Sequence, residues 1–549
     1  MKKKLLTVLI FFMFSVLVSG QVSDQKLKII DSLFNEWNSP NHPGGTVGIA
    51  IKGKPVFSEA YGLASMEYLV PNTYHTRFNI ASVSKQFTAM GIVKLHLEGR
   101  LSLDDDIRDY LPELPDTGHK VTFRHMLHHT SGLRSLHTLL SLAGWRGDDM
   151  KNNDDLLRFM TRQQELNFEP GSEYMYCNTG YILSAIIIEK ITSEDFADWL
   201  DKEILSPLGL YDTYLEDKYN RVAHNYATSY NGSLRKGFER EVEYWAYTGS
   251  GNIHSTAADL LKWMRYYHSP PEGWEEAFSM MLTLDPLNNG ETNNYAFGVR
   301  LDEYRDEEII SHSGSIGGYR AFACTLPENE TEIVILTNFS SSGISGKVNR
   351  ISDILFDKPE EKEPVMDYEP AEIDLSAIDQ YLGTYDIQDM DTRLFDITED
   401  NDSLYCRYTG GRKIPLYTAS DTVLFNKGAG IKISLTDSSP EKIKITSNGS
   451  TRKGTKTTKY IPSEEYLREI EGRYWSPELE TQYRFYLKNE KLFGYHTRHG
   501  EFEIESLKKD LFISDSGFMS KIIITREGDD IKGIKVSNSR VRDLWLVKM

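Results

Sequence analysis

Residues 374–549 carry an internal duplication, and this constrains the fold more than any other feature of the chain. Gly383-Thr384-Tyr385 returns as Gly472-Arg473-Tyr474, Leu404-Tyr405 as Leu492-Phe493, and Phe425 as Phe512. The three landmarks keep offsets of 89, 88 and 87, a steadiness that points to two copies of one module, 374–461 and 462–549. Within each, short alternating apolar runs are separated by Gly, Asn, Asp or Ser turns. There are about eight runs per module, enough to close a small antiparallel β-barrel. Two copies fall short of a solenoid, so each must close its own core. A linker at 357–373 precedes them; DKPEEKEPVMDYEPAE holds seven acids and three prolines and almost nothing apolar.

Upstream, residues 21–356 change character. A hairpin is expected over 46–61, with TVGIAI and PVFSEAY flanking a Lys-Gly-Lys turn. Helical spacing follows over 82–97, where Val83, Phe87, Met90 and Val93 define an amphipathic helix, and again over 154–163, 181–191 and 257–267. Strand-like runs return at 295–301, 319–325 and 332–337. Strands at both ends with helices between predict an α/β domain: one sheet built from N- and C-terminal strands under a helical layer.

The segment 1–20 reads as an address. Lys2, Lys3 and Lys4 lead into an apolar run from Leu5 to Val18, and Val18 and Gly20 fit the −3 and −1 positions of a signal-peptidase site. Cleavage after Gly20 predicts a secreted or periplasmic protein. The absence of a following Cys argues against a lipid anchor, and no later stretch approaches the ~20 apolar residues of a membrane span. Loss of the leader removes three lysines and no acid, moving the net charge from −19 to −22. With no basic block after residue 4, nucleic acid and anionic membrane surfaces are excluded as partners. Cys177, Cys324 and Cys406 form no Cys-x-x-Cys pair, which excludes a disulfide framework and a zinc ribbon.

Three short segments carry chemistry. In Ser82-Val83-Ser84-Lys85, Ser82 falls at a helix N-terminus, where free N–H groups favour developing negative charge, and Lys85 is one turn on along the same face. A buried Lys there can lose its proton and act as a base. Tyr176-Cys177-Asn178 runs from a Pro-Gly turn into a helix, offering a phenol for proton transfer and an amide for a substrate carbonyl. His312-Ser313-Gly314 precedes the strand-like YRAFACTL; Gly314 leaves room for a substrate at a strand edge, and the Ser315 N–H can pair with that of Ser82 as an oxyanion hole. Each segment alone also reads as a capping Ser, a loop Tyr or a Gly-rich turn. His125, His128 and His129 have the wrong spacing for a zinc helix and read as structural. Cys177 has no partner that would make it a nucleophile.

In this order the three segments resemble the serine β-lactamase and penicillin-binding-protein superfamily, in the subgroup related to class C β-lactamases. The resemblance spans about 35–355 and extends to VTFRHMLHHTSGL (121–133) and GNIHSTAADL (251–260). It implies a β-lactamase/DD-peptidase-like antiparallel sheet with a helical layer. It also implies an acyl-enzyme mechanism with Ser82, Lys85 and Tyr176 catalytic, and Asn178, His312, Gly314 and Ser315 binding substrate, without metal or cofactor. His312 stands where β-lactamases of this class carry Lys, so the site lacks their fixed positive charge for a substrate carboxylate. A catalytic domain followed by two barrels is similar to the D-aminopeptidase layout, in which a loop of the last barrel enters the cleft; 495–501 is the candidate here. The expected activity is therefore hydrolysis of small D-amino-acid amides or peptides. Small-ester hydrolysis, DD-peptidase or β-lactamase activity, and an exported binding protein are the alternatives. The partner is a small molecule or peptide, and the sequence leaves the oligomeric state open.

Overall fold

The computed structural model describes residues 22–359, 368–371 and 378–549, apart from short breaks at 389, 391–392, 402, 410, 436–440, 448–449 and 515. The leader and most of the linker expected at 357–373 lie outside the described residues.

Residues 22–359 are built on a six-stranded antiparallel sheet. Its strands are β1 (Gly45–Ile51), β2 (Lys54–Tyr61), β3 (Arg300–Tyr304), β4 (Glu307–Ile316), β5 (Tyr319–Leu326) and β6 (Thr331–Thr337), in the spatial order β3-β4-β5-β6-β1-β2. The N-terminal hairpin joins the C-terminal meander through β1 and β6, in register from Gly45 opposite Thr337 to Ile51 opposite Thr331. Strand β6 is buried along its whole length because both faces are covered. Ile333 and Ile335 enter one core with α1 (Asp24–Ser32) and α5 (Ile344–Leu355). Val334 and Leu336 face the larger core beneath α2 (Lys85–Leu97), α3 (Asn178–Thr192) and α4 (Ala257–Arg265).

Three local expectations need correction. Residues 295–301 are not a strand throughout; β3 starts at Arg300. His312 to Gly314 precedes β5 as expected, but it is itself strand, inside β4, and not a Gly-rich turn. Helix α2 is not amphipathic: every residue from Lys85 to Val93 is buried, because the helix runs through the middle of the helical layer.

The two C-terminal modules are closed eight-stranded antiparallel barrels. The repeat noted in the sequence is a repeat of structure. Gly383 and Gly472 open the first strand of each barrel at φ +137° and +146°, and Tyr385 and Tyr474 each donate a 2.7 Å hydrogen bond to the carbonyl four positions back. The second barrel packs directly on residues 22–359, and its core residues form one continuous apolar cluster with those of α2 and α3. Arg134, 1% exposed, reaches across to Glu478 at 2.6 Å, and Tyr483 donates to the Leu142 carbonyl at 2.6 Å. The first barrel contacts the second through Arg407 to Glu505 and Lys508 to Asp386.

Candidate active site

A cleft of about 840 Å³ opens where the start of α2, the start of α3 and one edge of β4 converge. Ser82, Tyr176, Asn178, His312 and Ser315 line it, so three segments widely separated in sequence meet in one place.

Ser82 sits in the single 3₁₀ turn Ala81–Ser84 that leads into α2. The preceding Ala81 is held at φ +49°, a left-handed conformation costing about 1–2 kcal/mol for a non-glycine residue, with its N–H bound to Asn79 Oδ1 at 2.9 Å. The kink turns the Ser82 hydroxyl into the cleft. One turn on, Lys85 is wholly buried; its Nζ is 3.1 Å from Ser82 Oγ and 2.8 Å from the Ser250 carbonyl. Among the described residues no carboxylate offsets that burial. Loss of hydration, aided by the Arg540 guanidinium, holds the amine well below its ordinary pKa, which favours the unprotonated form that a base requires.

Tyr176 approaches the same hydroxyl, and Lys85 Nζ lies 5.0 Å from its ring centre. Burial raises the phenol's pKa above its usual value, so it keeps its proton at neutral pH. Its segment is fixed from below. The Cys177 N–H donates to His129 Nδ1 at 3.1 Å, and the Cys177 thiol, buried and with a raised pKa, donates to the Leu133 carbonyl. That thiol is unsuited to nucleophilic work. Asn178 opens α3, and its buried Oδ1 has no partner among the described residues.

The third segment forms an open edge. Strand β3 pairs with β4 only as far as Ser311, so residues 312–316 have no neighbour on that side within the sheet. The Gly317-Gly318 turn closes β4 onto β5 at Ile316 and Tyr319, and by antiparallel alternation the N–H and C=O groups of Ser313 and Ser315 point to the open edge. Gly314 is needed there for a reason the sequence reading placed elsewhere. A Cβ at this position would stand 2.2 Å from the Ile80 carbonyl oxygen and 3.0 Å from Ala81 Cβ. The glycine admits the segment that carries Ser82, not the substrate. His312 Nδ1 donates to the Ser313 carbonyl at 2.6 Å and Nε2 accepts from the Tyr295 hydroxyl at 2.8 Å. Burial, with Lys85 and Arg300 nearby, pushes its pKa down to about 3, so the ring is neutral.

Other residues of the cleft were not anticipated. Tyr295, Arg300 and Asp302 come from the segment before β4, and Tyr174 and Tyr247 supply aromatic wall. Arg540 comes from the second barrel, and its guanidinium carbon lies 4.9 Å over the Tyr176 ring. The loop at 495–501, expected to gate the cleft, docks elsewhere: His499 bonds the Ser141 carbonyl and Arg498 pairs with Asp149. None of the signals used in reading the sequence marks Arg540. The three histidines of 125–129 are structural: His125 closes a helix cap on Thr122, His128 bonds the Tyr295 carbonyl, and His129 supports Cys177.

Residues 30–355 match the family described as Beta-lactamase. Among curated relatives, penicillin-binding protein 4* of Bacillus subtilis (strain 168) is 29% identical over 437 residues, covering 76% of this chain and 95% of that protein. A D-aminopeptidase of Gluconobacter oxydans (strain 621H) is 24% identical over 300 residues, 55% of this chain and 56% of the enzyme. Of solved structures, the octameric penicillin-binding protein homologue from Pyrococcus abyssi superposes with a TM-score of 0.56 at 24% identity, covering 87% of this chain and 98% of that one. The D-amino acid amidase from Ochrobactrum anthropi SV3 complexed with L-phenylalanine gives 0.52 at 22% identity, over 60% and 99% of the two chains.

Proposed function

The chain belongs to the beta-lactamase family and is a serine hydrolase of that family, and we propose that it cleaves amides of small D-amino acids or short peptides through an acyl-enzyme on Ser82. The observation that carries the mechanism is the fully buried Lys85 amine 3.1 Å from the Ser82 hydroxyl, its pKa held well below the ordinary value by burial. Lys85 takes the hydroxyl proton as Oγ bonds to the substrate carbonyl carbon. The oxyanion is received by the Ser82 and Ser315 N–H groups. As the C–N bond breaks, Tyr176 gives its proton to the leaving nitrogen and is reprotonated from Lys85. Water then attacks the acyl-enzyme and restores Ser82. Asn178, with its unpaired Oδ1, accepts a substrate N–H.

The preference for amides of D-amino acids is supported by the D-aminopeptidase relative and by the amidase with the same fold. Asp302 is the acid among the cleft's described lining residues and is suited to a substrate ammonium. Residues 1–20 direct export on this reading. The test is a panel of D-Ala-p-nitroanilide, short-chain p-nitrophenyl esters and nitrocefin, with wild type and Ser82→Ala. D-alanyl amide turnover should exceed ester and nitrocefin turnover and fall by at least about 10³-fold in the variant. Faster nitrocefin or ester turnover refutes the substrate reading. Substantial activity in the variant refutes the nucleophile.

A further inference from the structure

We propose that Arg540 of the second barrel is the residue that recognises substrate, binding a carboxylate carried by the leaving group. The proposal rests on the amide-hydrolase reading above and names one half of its substrate.

Arg540 lies in the tight turn between the strands Asp530–Asn538 and Val541–Lys548, far beyond Tyr176 in sequence. The hairpin is clamped to the catalytic domain at Arg540 itself and two residues further on. The Arg540 carbonyl accepts from the Ser135 N–H at 3.1 Å and from Asn167 Nδ2 at 3.2 Å. The Arg542 N–H donates to Asn167 Oδ1 at 2.8 Å, and the Arg542 guanidinium grips both oxygens of Glu173 at 3.0 and 2.8 Å. The backbone is thereby anchored, and the Arg540 side chain is delivered into the cleft.

There the guanidinium is unmatched. It is half-buried, it stacks over Tyr176, and among the described residues it meets no carboxylate and donates no hydrogen bond. A guanidinium has five N–H donors, and sheltering it from water without an acceptor is costly. The neighbouring Arg542 shows what such a group does when an acid is within reach. Arg300, which also lines the cleft, already has the Tyr174 hydroxyl at 3.3 Å. Arg540 is thus a preorganised anion site without a protein partner among the described residues, and its planar fork fits a carboxylate bidentately. Because it rests on the face of Tyr176, the proton donor to the leaving nitrogen, the carboxylate belongs to the leaving group. The neutral His312 cannot supply this charge, and a barrel hairpin supplies it instead.

The proposal is tested on the full chain with matched pairs: D-alanyl-D-alanine against D-alanyl-D-alaninamide, and nitrocefin against its methyl ester. Calorimetric binding to Ser82→Ala and wild-type kcat/KM are both measured. The free acid should bind at least ~10-fold more tightly than its uncharged mate. Arg540→Met should lose at least ~10-fold more on the acids than on their mates, mainly through KM, with Arg540→Lys in between. Equal affinity for the members of each pair, binding of neither, or equal losses on both in Arg540→Met overturns the proposal. The binding measurement needs no folded Arg540 variant. Acid-selective binding without amide turnover would overturn the amide-hydrolase reading and leave the carboxylate site standing.

Discussion

Gly314→Ala adds one methyl group at the point where strand β4 meets the segment carrying the proposed nucleophile, Ser82. Its carbon would lie 2.2 Å from the Ile80 carbonyl oxygen and 3.0 Å from Ala81 Cβ. Ordinary contacts between such atoms need more than about 3 Å, so strand and segment must part by about 1 Å. Both sides are backbone, and neither has a rotamer to yield. The segment is already held at a positive φ at Ala81, which leaves it little slack. Ser82 would move relative to Ser315, widening the gap between the two N–H groups proposed to receive the oxyanion. Displacements near about 1 Å cost on the order of 10²-fold in rate, or about 2.7 kcal/mol of transition-state stabilisation. Overpacking adds about 1–3 kcal/mol of destabilisation. The assay is steady-state kinetics on D-Ala-p-nitroanilide alongside thermal unfolding. The expected outcome is a kcat lower by roughly 10²-fold, KM changed far less, and a lowered Tm. If the glycine instead serves only to admit substrate, KM rises and both kcat and Tm hold. That result, or a variant within threefold of wild type in kcat, refutes the argument.

Burial holds the Lys85 pKa in the fold well below its unfolded value, so between the two the unfolded chain binds more protons and wild-type stability rises with pH on this account. Lys85→Met removes this dependence. Its stability gain over wild type should therefore shrink as pH rises, by up to about 1.4 kcal/mol per unit between the depressed folded pKa and ~10.4, as read by denaturant unfolding at pH 7, 8 and 9. A constant difference would mean that Lys85 is charged. At the domain interface, Glu478→Ala leaves the buried Arg134 without its 2.6 Å partner and should cost about 3–5 kcal/mol. Limited proteolysis should then release the second barrel more readily than in wild type, and unchanged cleavage would show that the pair is not holding the domains together. For the same reason a fragment ending at residue 356, which the acidic linker suggests as independent, should be poorly soluble, since it uncovers the apolar face shared with the second barrel. A fragment that stays soluble and monomeric in gel filtration would refute this.

How much was legible in the sequence follows from distance along the chain. Ser82 and Lys85 are one helical turn apart, Tyr176 and Asn178 are two residues apart where an extended segment enters a helix, and a duplicated module reports itself through a constant offset, so these features were readable from local spacing. The barrels followed because period-two alternation survives wherever one strand face is wet. Strand β4 was not visible as a strand. It is buried against β5 but ends in an open polar edge, so Ser, His and Gly replace the alternation that would mark it. The depth of α2 was also invisible: residues that describe an amphipathic stripe become a core helix once a second layer covers the polar side, and only then is the Lys85 pKa driven down. The reason for Gly314 lies far back along the chain in Ile80, and Arg540 reaches Tyr176 from the opposite end of the sequence. Local sequence determined which groups are proposed to react. Their protonation states and the cation beside them were decided by packing, because burial and through-space charge depend on which surfaces meet, and spacing along the chain does not encode that.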